Sequence, residues 1–349
     1  MAPSSAVRVG LIGCGNIGAR GHAPAYKRIP EATLVAACDI VPEHSNALAV
    51  EYEIDEYTDY RRLLERDDID MVDLCVPTYL HASLAVEALE WGKHVLCEKP
   101  IARNLTEADA MIKTARKTGL KLMVGHVRRF DHRYVEINKA ITSGEIGAPV
   151  YIRRAERQWL PFPASGWHWR PEMGGGVILD IGVHIADLFR WLYSQNPVSV
   201  YAVGRKVRQA AREADSFDHV FITYTFPNGA VGLAEASWAY PPDFGAGLYA
   251  SLDVVGTLGK IQFSDQESNP MLVFDQDTGA AYPRYFQFMS TTEYAFEEEI
   301  RHFVDCLLED SEPTISLADA RAALEMVVAA QQSARIGQPI PIPFDEANF

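Results

Sequence analysis

Over the first 125 residues, short apolar, β-branched runs alternate with stretches of helical spacing. Val7 to Ile12, Thr33 to Cys38, Asp70 to Val76, His94 to Glu98 and Lys121 to Gly125 read as strands. Ile17 to Ile29, Thr78 to Trp91 and Thr106 to Thr118 read as helices, the first stopped by Pro30 and the third opened by a Thr106/Asp109 capping box. Alternation of this kind predicts parallel strands joined by crossover helices, an α/β doubly wound sheet.

The pattern changes after residue 125. Asp131 to Ser143 and Val177 to Tyr193 have helical spacing. Val150 to Arg157, Val198 to Arg205, Phe217 to Phe226 and Ala230 to Trp238 alternate as strands, the last two joined by the turn Pro227-Asn228-Gly229. Further strands are expected at 249–255, 258–264 and 270–275. Helices are expected at about 293–309 and 316–335, the second with a Ser316/Asp319 capping box. Runs of strands with segregated helices predict an α+β domain on a large, open, mostly antiparallel sheet. The division expected is therefore 1–125 and 126–349. One face of the second sheet packs on helices, and a second subunit is a natural cover for the other.

Composition narrows the function classes. The chain of 349 residues is 48% hydrophobic and 23% charged, as an ordinary globular protein is, with a net charge of −15. Arg128-Arg129 and Arg153-Arg154 are only local pairs, so a nucleic-acid partner is not expected. Met1 to Ala6 has neither a basic stretch nor an apolar core, and no run reaches the roughly 18 apolar residues of a membrane span. The five cysteines lack CxxC spacing and read as small core residues of a reduced, cytoplasmic protein.

The chemistry begins at Gly13-Cys14-Gly15-Asn16-Ile17-Gly18, between a strand and a helix, with Asp39 at the end of the next strand. That layout is a dinucleotide-binding βαβ unit: Gly13 permits the turn, Gly15 lets backbone approach a pyrophosphate, and Gly18 allows close helix packing. A carboxylate at Asp39 accepts from ribose hydroxyls and repels a 2′-phosphate, and Ile40-Val41-Pro42 supplies no arginine, so NAD is favoured over NADP. The competing role for Asp39 is to cap a helix starting at Pro42. Glu98-Lys99-Pro100 ends a strand whose carboxyl end faces the ligand crevice, where a lysine can polarise a substrate oxygen. A plain loop lysine is the alternative.

A second constellation runs from Gly174-Gly175-Gly176 to Asp180 and His184, which are four apart and share a helix face. They read as orienter and general base, as a structural hydrogen bond, or as half a metal site; no further ligand stands at metal spacing, so no metal is expected. Trp159, Trp167-His168-Trp169-Arg170, Trp238, Tyr240 and His126-Val127-Arg128-Arg129 supply rings and polar groups that suit a sugar or cyclitol, or serve as core. His81 opens a helix after Pro77 and is either a cofactor neighbour or a helix-end residue.

Taken together, the Gly13–Gly18 turn, Cys75-Val76-Pro77-Thr78 with His81, Glu98-Lys99-Pro100, Val124-Gly125-His126 with Arg128-Arg129-Phe130-Asp131, and Gly174 through His184 resemble the Gfo/Idh/MocA oxidoreductases over nearly the whole chain. The resemblance implies a Rossmann domain that binds NAD through Gly13, Gly15, Asn16, Ile17, Gly18, Asp39, Pro77, Thr78, His81, Glu98 and Lys99. It implies His184 as general base, Lys99 and Asp180 on the substrate hydroxyl, and Arg129, Trp159 and Tyr240 as further substrate contacts. It also implies a homodimer or homotetramer through the large sheet. The activity expected is oxidation of a secondary hydroxyl of a sugar, sugar derivative or cyclitol to a ketone or lactone. Two other readings are a redox-assisted glycosidase that retains its NAD, and a non-catalytic sensor of NAD or sugar.

Overall fold

The computed structural model describes residues 6–240, 249–264, 271–275, 281–283 and 291–345. The chain divides into two compact units: Met1–Asp131 with Ser290–Arg321, and His132–Met289 with Ala322–Phe349. This differs from a single cut at 125/126, and the reason lies in one helix, Thr291–Leu308. Ile300, Phe303 and Val304 of that helix lie in the same buried cluster as Val9, Leu11, Ala25, Tyr26 and Leu34. A stretch expected to serve the second domain therefore completes the core of the first.

The first unit holds six parallel strands: β1 (Val7–Ile12), β2 (Ala32–Cys38), β3 (Asp55–Tyr57), β4 (Met71–Leu74), β5 (His94–Glu98) and β6 (Leu122–Gly125), in the order β3-β2-β1-β4-β5-β6. Every strand but β3 was legible as an apolar run; β3 is the polar edge segment Asp-Glu-Tyr. The order reverses between β1 and β4, so the loops after these strands open at the switch point where such sheets take ligands.

The helix expected over Ile17–Ile29 is present over residues 16–26, shorter at its end and widened in the middle. Gly18–His22 forms a π-helical turn, with Ala23 N–H donating to Gly18 O five residues back, and Ala23–Tyr26 adds one α turn. Pro24 accounts for the widening, since it has no N–H to donate and its ring crowds the carbonyl four residues earlier. The capping box assigned to Thr106/Asp109 is also corrected. The helix starts at Leu105, its cap is Asn104, whose side chain accepts from Glu107 N–H, and Asp109 pairs with Arg321 instead. The Ser316/Asp319 box forms as expected, each backbone N–H meeting the other side chain.

In the second unit the strands are β7 (Pro149–Arg157), β8 (Ser199–Arg205), β9 (His219–Thr225), β10 (Val231–Ser237), β11 (Tyr249–Gly256), β12 (Gly259–Ser264), β13 (Met271–Asp275), β14 (Ala281–Pro283) and β15 (Ile340–Pro341). They form one sheet in the order β14-β13-β12-β11-β7-β10-β9-β8-β15. Only the β7–β10 pair among them is parallel. Alternation sorts the faces: Ile152, Ala202, Ile222, Ala234 and Leu252 are buried, while Tyr151, Tyr201, Val203, Phe221 and Leu233 are exposed. The helix expected over Val177–Tyr193 is present as Val177–Asp180 and Gly182–Tyr193, joined at Ile181 without leaving helical backbone angles.

Candidate active site

Each glycine of the first turn meets a different neighbourhood. Gly13 has φ +98°, and a Cβ on it would lie 2.5 Å from Cys75 O, at the end of β4. A Cβ on Gly18 would strike the Gly13 carbonyl. Gly15 is the opposite case: a Cβ there meets nothing within 4 Å, so backbone stands open to the space in front of the turn. Asn16 and Ile17 beside it are exposed.

Asp39 closes the second side of this space. Its Oδ2 accepts from Cys14 N–H at 2.8 Å and its Oδ1 from Val41 N–H at 2.9 Å, with His44 Nδ1 3.7 Å from Oδ1. The following helix, Pro42–Tyr52, has Val41 as its cap and receives no side-chain capping bond. Asp39 thus ties the glycine turn to β2 rather than capping a helix. Each carboxylate oxygen accepts one backbone bond and keeps a lone pair for a further donor. Open backbone at Gly15 and acceptor capacity at Asp39 fit a dinucleotide with free ribose hydroxyls.

After β4, Val76 and Pro77 are half-buried, whereas Thr78 and His81 of the helix Thr78–Glu90 are buried. His81 Nδ1 lies 2.8 Å from Pro100 O and Nε2 lies 2.9 Å from Val76 O. Burial lowers its pKa below the ordinary value against the opposing pull of the two carbonyls, and a neutral ring, with one N–H, donates to only one of them. At the end of β5, Lys99 is half-buried, the Lys99–Pro100 peptide is cis, and Lys99 N–H donates to Glu98 Oε2 at 3.0 Å. Arg129 follows β6 and sends Nη1 to within 3.5 Å of Asp319 Oδ2, an ion pair in the same unit.

Two of the predicted residues of the second unit, Trp159 and Tyr240, lie at one end of the sheet. β7 and β10 run parallel and finish together, with Gln158 N–H donating to Ser237 O, so Trp159 and Tyr240 both follow strand ends there. Tyr249, which starts β11, pairs in register with Arg157 and stacks on Tyr240 with ring centres 6.5 Å apart. Trp169 and Trp238 are core residues, fully buried edge to face at 5.4 Å. The glycine triplet approaches backbone rather than a ligand space: a Cβ on Gly175 would lie 2.5 Å from His168 O, and Gly176 N–H donates to that carbonyl at 2.7 Å. From Val177 to Phe189 every residue is buried except Asp180 and His184, which stay half-open one turn apart on the same face.

Two features were missed in the sequence. Arg208 lies over the rings of Trp159 (5.6 Å) and Trp169 (4.9 Å), donates to Leu160 O, and has its backbone N–H held by buried Asp218. No local pattern signals it. In the first unit, His22, Asp73, Glu98 and Glu299 are buried close to one another. A single acid inside the apolar strand Met71–Leu74 was the available signal, since charges are rarely buried without a partner. Among the described residues no helix is long and apolar enough to cross a membrane.

Comparison with known proteins identifies the family. Residues 7–126 match the family model described as an oxidoreductase family with an NAD-binding Rossmann fold, and residues 134–262 match the GFO/IDH/MocA C-terminal domain. The chain is 30% identical to the inositol 2-dehydrogenase of Rhizobium meliloti (strain 1021), over 94% of this chain and 96% of that protein. It is 29% identical to the scyllo-inositol 2-dehydrogenase (NAD(+)) of Bacillus subtilis (strain 168), over 98% of each. A crystal structure described as a putative myo-inositol dehydrogenase from Sinorhizobium meliloti 1021 superposes with a TM-score of 0.82 at 29% identity, over 96% of this chain and 99% of that one. A levoglucosan dehydrogenase in complex with NADH and levoglucosan gives 0.87 at 25% identity, over 97% of this chain and all of that one. The chain belongs to the Gfo/Idh/MocA family of NAD-binding oxidoreductases.

Proposed function

We propose that this protein is an NAD-dependent dehydrogenase that oxidises a secondary hydroxyl of a sugar, sugar derivative or cyclitol. The observation that carries the proposal is the Asp180/His184 pair, half-open on one face of a helix whose other residues through Phe189 are buried. A carboxylate and an imidazole so placed suit a hydroxyl group, with the histidine as its general base. Gly13, Gly15, Asn16, Ile17, Gly18, Asp39, Pro77 and Thr78 would hold NAD, His81 and Glu98 would brace the loops around it, and exposed Ile40 would cover its adenine side. NAD, when bound, supplies an acceptor for the hydride of the carbinol carbon. His184 Nε2 takes the hydroxyl proton, Lys99 steadies the oxygen by its charge, and Asp180 fixes the orientation of that oxygen or its neighbour. Trp159 and Tyr240 offer ring faces to sugar C–H groups, and Arg129 a guanidinium to its hydroxyls.

The exposed apolar row Tyr151, Tyr201, Val203, Phe221 and Leu233 supports a homodimer or homotetramer through the large sheet. The test of the function is NADH formation with NAD across myo- and scyllo-inositol, aldoses, glucosides, anhydrosugars and sugar acids. Turnover with one group of these, lowered about 10²–10⁴-fold in His184→Ala with NADH binding kept, is expected. Turnover unchanged in that variant, or absent with every member of the panel, overturns the proposal.

A further inference from the structure

The turn that follows the glycine motif carries a histidine with no part in the chemistry above. His22 ends the π-helical segment Gly18–His22, and its side chain has no solvent exposure. Nδ1 lies 2.8 Å from Asp73 Oδ2 and Nε2 lies 3.2 Å from Glu98 Oε1. Phe296 covers the ring with centroids 5.0 Å apart. Tyr26 OH donates to the same Asp73 oxygen at 2.8 Å, and Cys75 Sγ is 3.6 Å from Asp73 Oδ1. Glu299, from the helix Thr291–Leu308, brings a carboxylate oxygen within 4.8 Å of the near atoms of His22 and Glu98.

An imidazole can donate through both nitrogens only when it carries two protons. Burial is the strongest single influence and opposes that charge, but Asp73 and Cys75 together outweigh it and hold His22 well above its ordinary pKa. Glu98 shows the complement: burial would raise it, and His22 with Lys99 brings it below its ordinary value. The pair of carboxylates and the ring between them therefore form one buried ionic unit. It joins three elements, the glycine-turn segment, the end of β4 and the end of β5.

What makes this unit relevant to the reaction is the other oxygen of Glu98. Oε2 accepts the backbone N–H of Lys99 at 3.0 Å, at the point where β5 gives way to the loop. Gly125, on the neighbouring strand β6, leaves room for the carboxylate, since a Cβ there would come to 3.3 Å from Glu98 Oε1. We propose that His22 is a positioning residue for Lys99. Clamped by Asp73, it fixes the Glu98 carboxylate, which in turn fixes the backbone from which the Lys99 side chain departs. The proposal rests on the assignment of Lys99 to the substrate oxygen. Its content is that the distance between the glycine turn and Lys99 is set by an ion pair rather than by apolar packing alone. A displacement of about 1 Å in such a group can cost on the order of a hundredfold in rate.

The test combines His22→Gln and Glu98→Gln, each alone and with Lys99→Ala, in the full-length protein. Glu98→Gln leaves the His22–Asp73 pair in place, so it reports even where His22→Gln does not fold. Expected is a fall in kcat of about ten- to a hundredfold in each single variant, with the Kd for NADH within about threefold of the parent in His22→Gln. In the Lys99→Ala background neither change lowers kcat further, because the group being positioned is gone. Losses that multiply with that of Lys99→Ala, or an unchanged kcat in Glu98→Gln, overturn the positioning role. An unchanged kcat in Lys99→Ala alone marks instead the failure of the assignment of Lys99, and the proposal falls with it. Nitrogen-15 NMR gives an independent readout: His22 should carry protons on both ring nitrogens at pH 8. The charged or titratable groups around it are Tyr26, Asp73, Cys75, Glu98 and Glu299, with Lys99 acting on Glu98. A neutral His22 ring at that pH, or one equivalent of metal ion held by the His22, Asp73 and Cys75 atoms, would also refute the ionic clamp.

Discussion

Replacing Gly15 with alanine separates the folding role of the glycine turn from its binding role. A Cβ at Gly15 meets no protein atom within 4 Å, and its φ lies outside the left-handed region. The variant should therefore fold at least as well as the parent. A stabilisation of about 0.4–1 kcal/mol is expected, because alanine narrows the unfolded ensemble more than it strains the fold. The methyl group enters the space from which a pyrophosphate would reach the backbone N–H groups. Losing one charge-assisted hydrogen bond costs about 1.5–3 kcal/mol. That raises the Kd for NADH roughly 10- to 150-fold. Gly18→Ala is the control with the opposite signature, since its Cβ would strike the Gly13 carbonyl. Overpacking of that kind costs about 1–3 kcal/mol in stability. Urea unfolding gives the first quantity and quenching of protein fluorescence by NADH the second. A Gly15→Ala protein that unfolds early would contradict the open space in front of the turn. One that folds well and binds NADH as tightly as the parent would refute the assignment of that space to the cofactor.

Asp39→Ala removes the acceptor and the negative charge that would oppose a 2′-phosphate, so the ratio of NAD to NADP efficiency should drop by about tenfold or more; an unchanged ratio refutes the role. Phe221→Arg places a charge in the middle of the exposed apolar row on the large sheet. Light scattering should then show a smaller species than for the parent, and identical masses would count against assembly through that face.

Most of the first sheet was legible because its strands are buried on both faces and so read as continuous apolar runs. The second sheet was legible for the opposite reason, its clean alternation, as in the buried and open positions of His219–Thr225. What escaped was non-local or depended on a single atom. Pro24 widens the middle of a predicted α-helix into a π segment, an effect of one missing N–H that periodicity does not register. Thr106 looked like a cap by spacing, yet Asn104 two residues earlier does the capping. The candidate site was legible as motifs, Asp180 and His184 by their four-residue spacing and Lys99 by its place after a strand. Arg208 and Glu299 were not legible, since each matters only through partners brought near by the fold.

The helix Thr291–Leu308 has a consequence for the order in which the molecule can be made. Its Ile300, Phe303 and Val304 complete the apolar cluster under Val9, Leu11 and Tyr26. During synthesis, the glycine turn and all six parallel strands leave the ribosome long before that helix exists. At about 5–20 residues per second, the first unit waits on the order of ten seconds or longer with part of its interior uncovered. The later-encoded strands of the second unit are made in that interval. The nucleotide-binding unit, though its strands are made first, thus closes only after the strands from β7 to β14 of the second unit have been made.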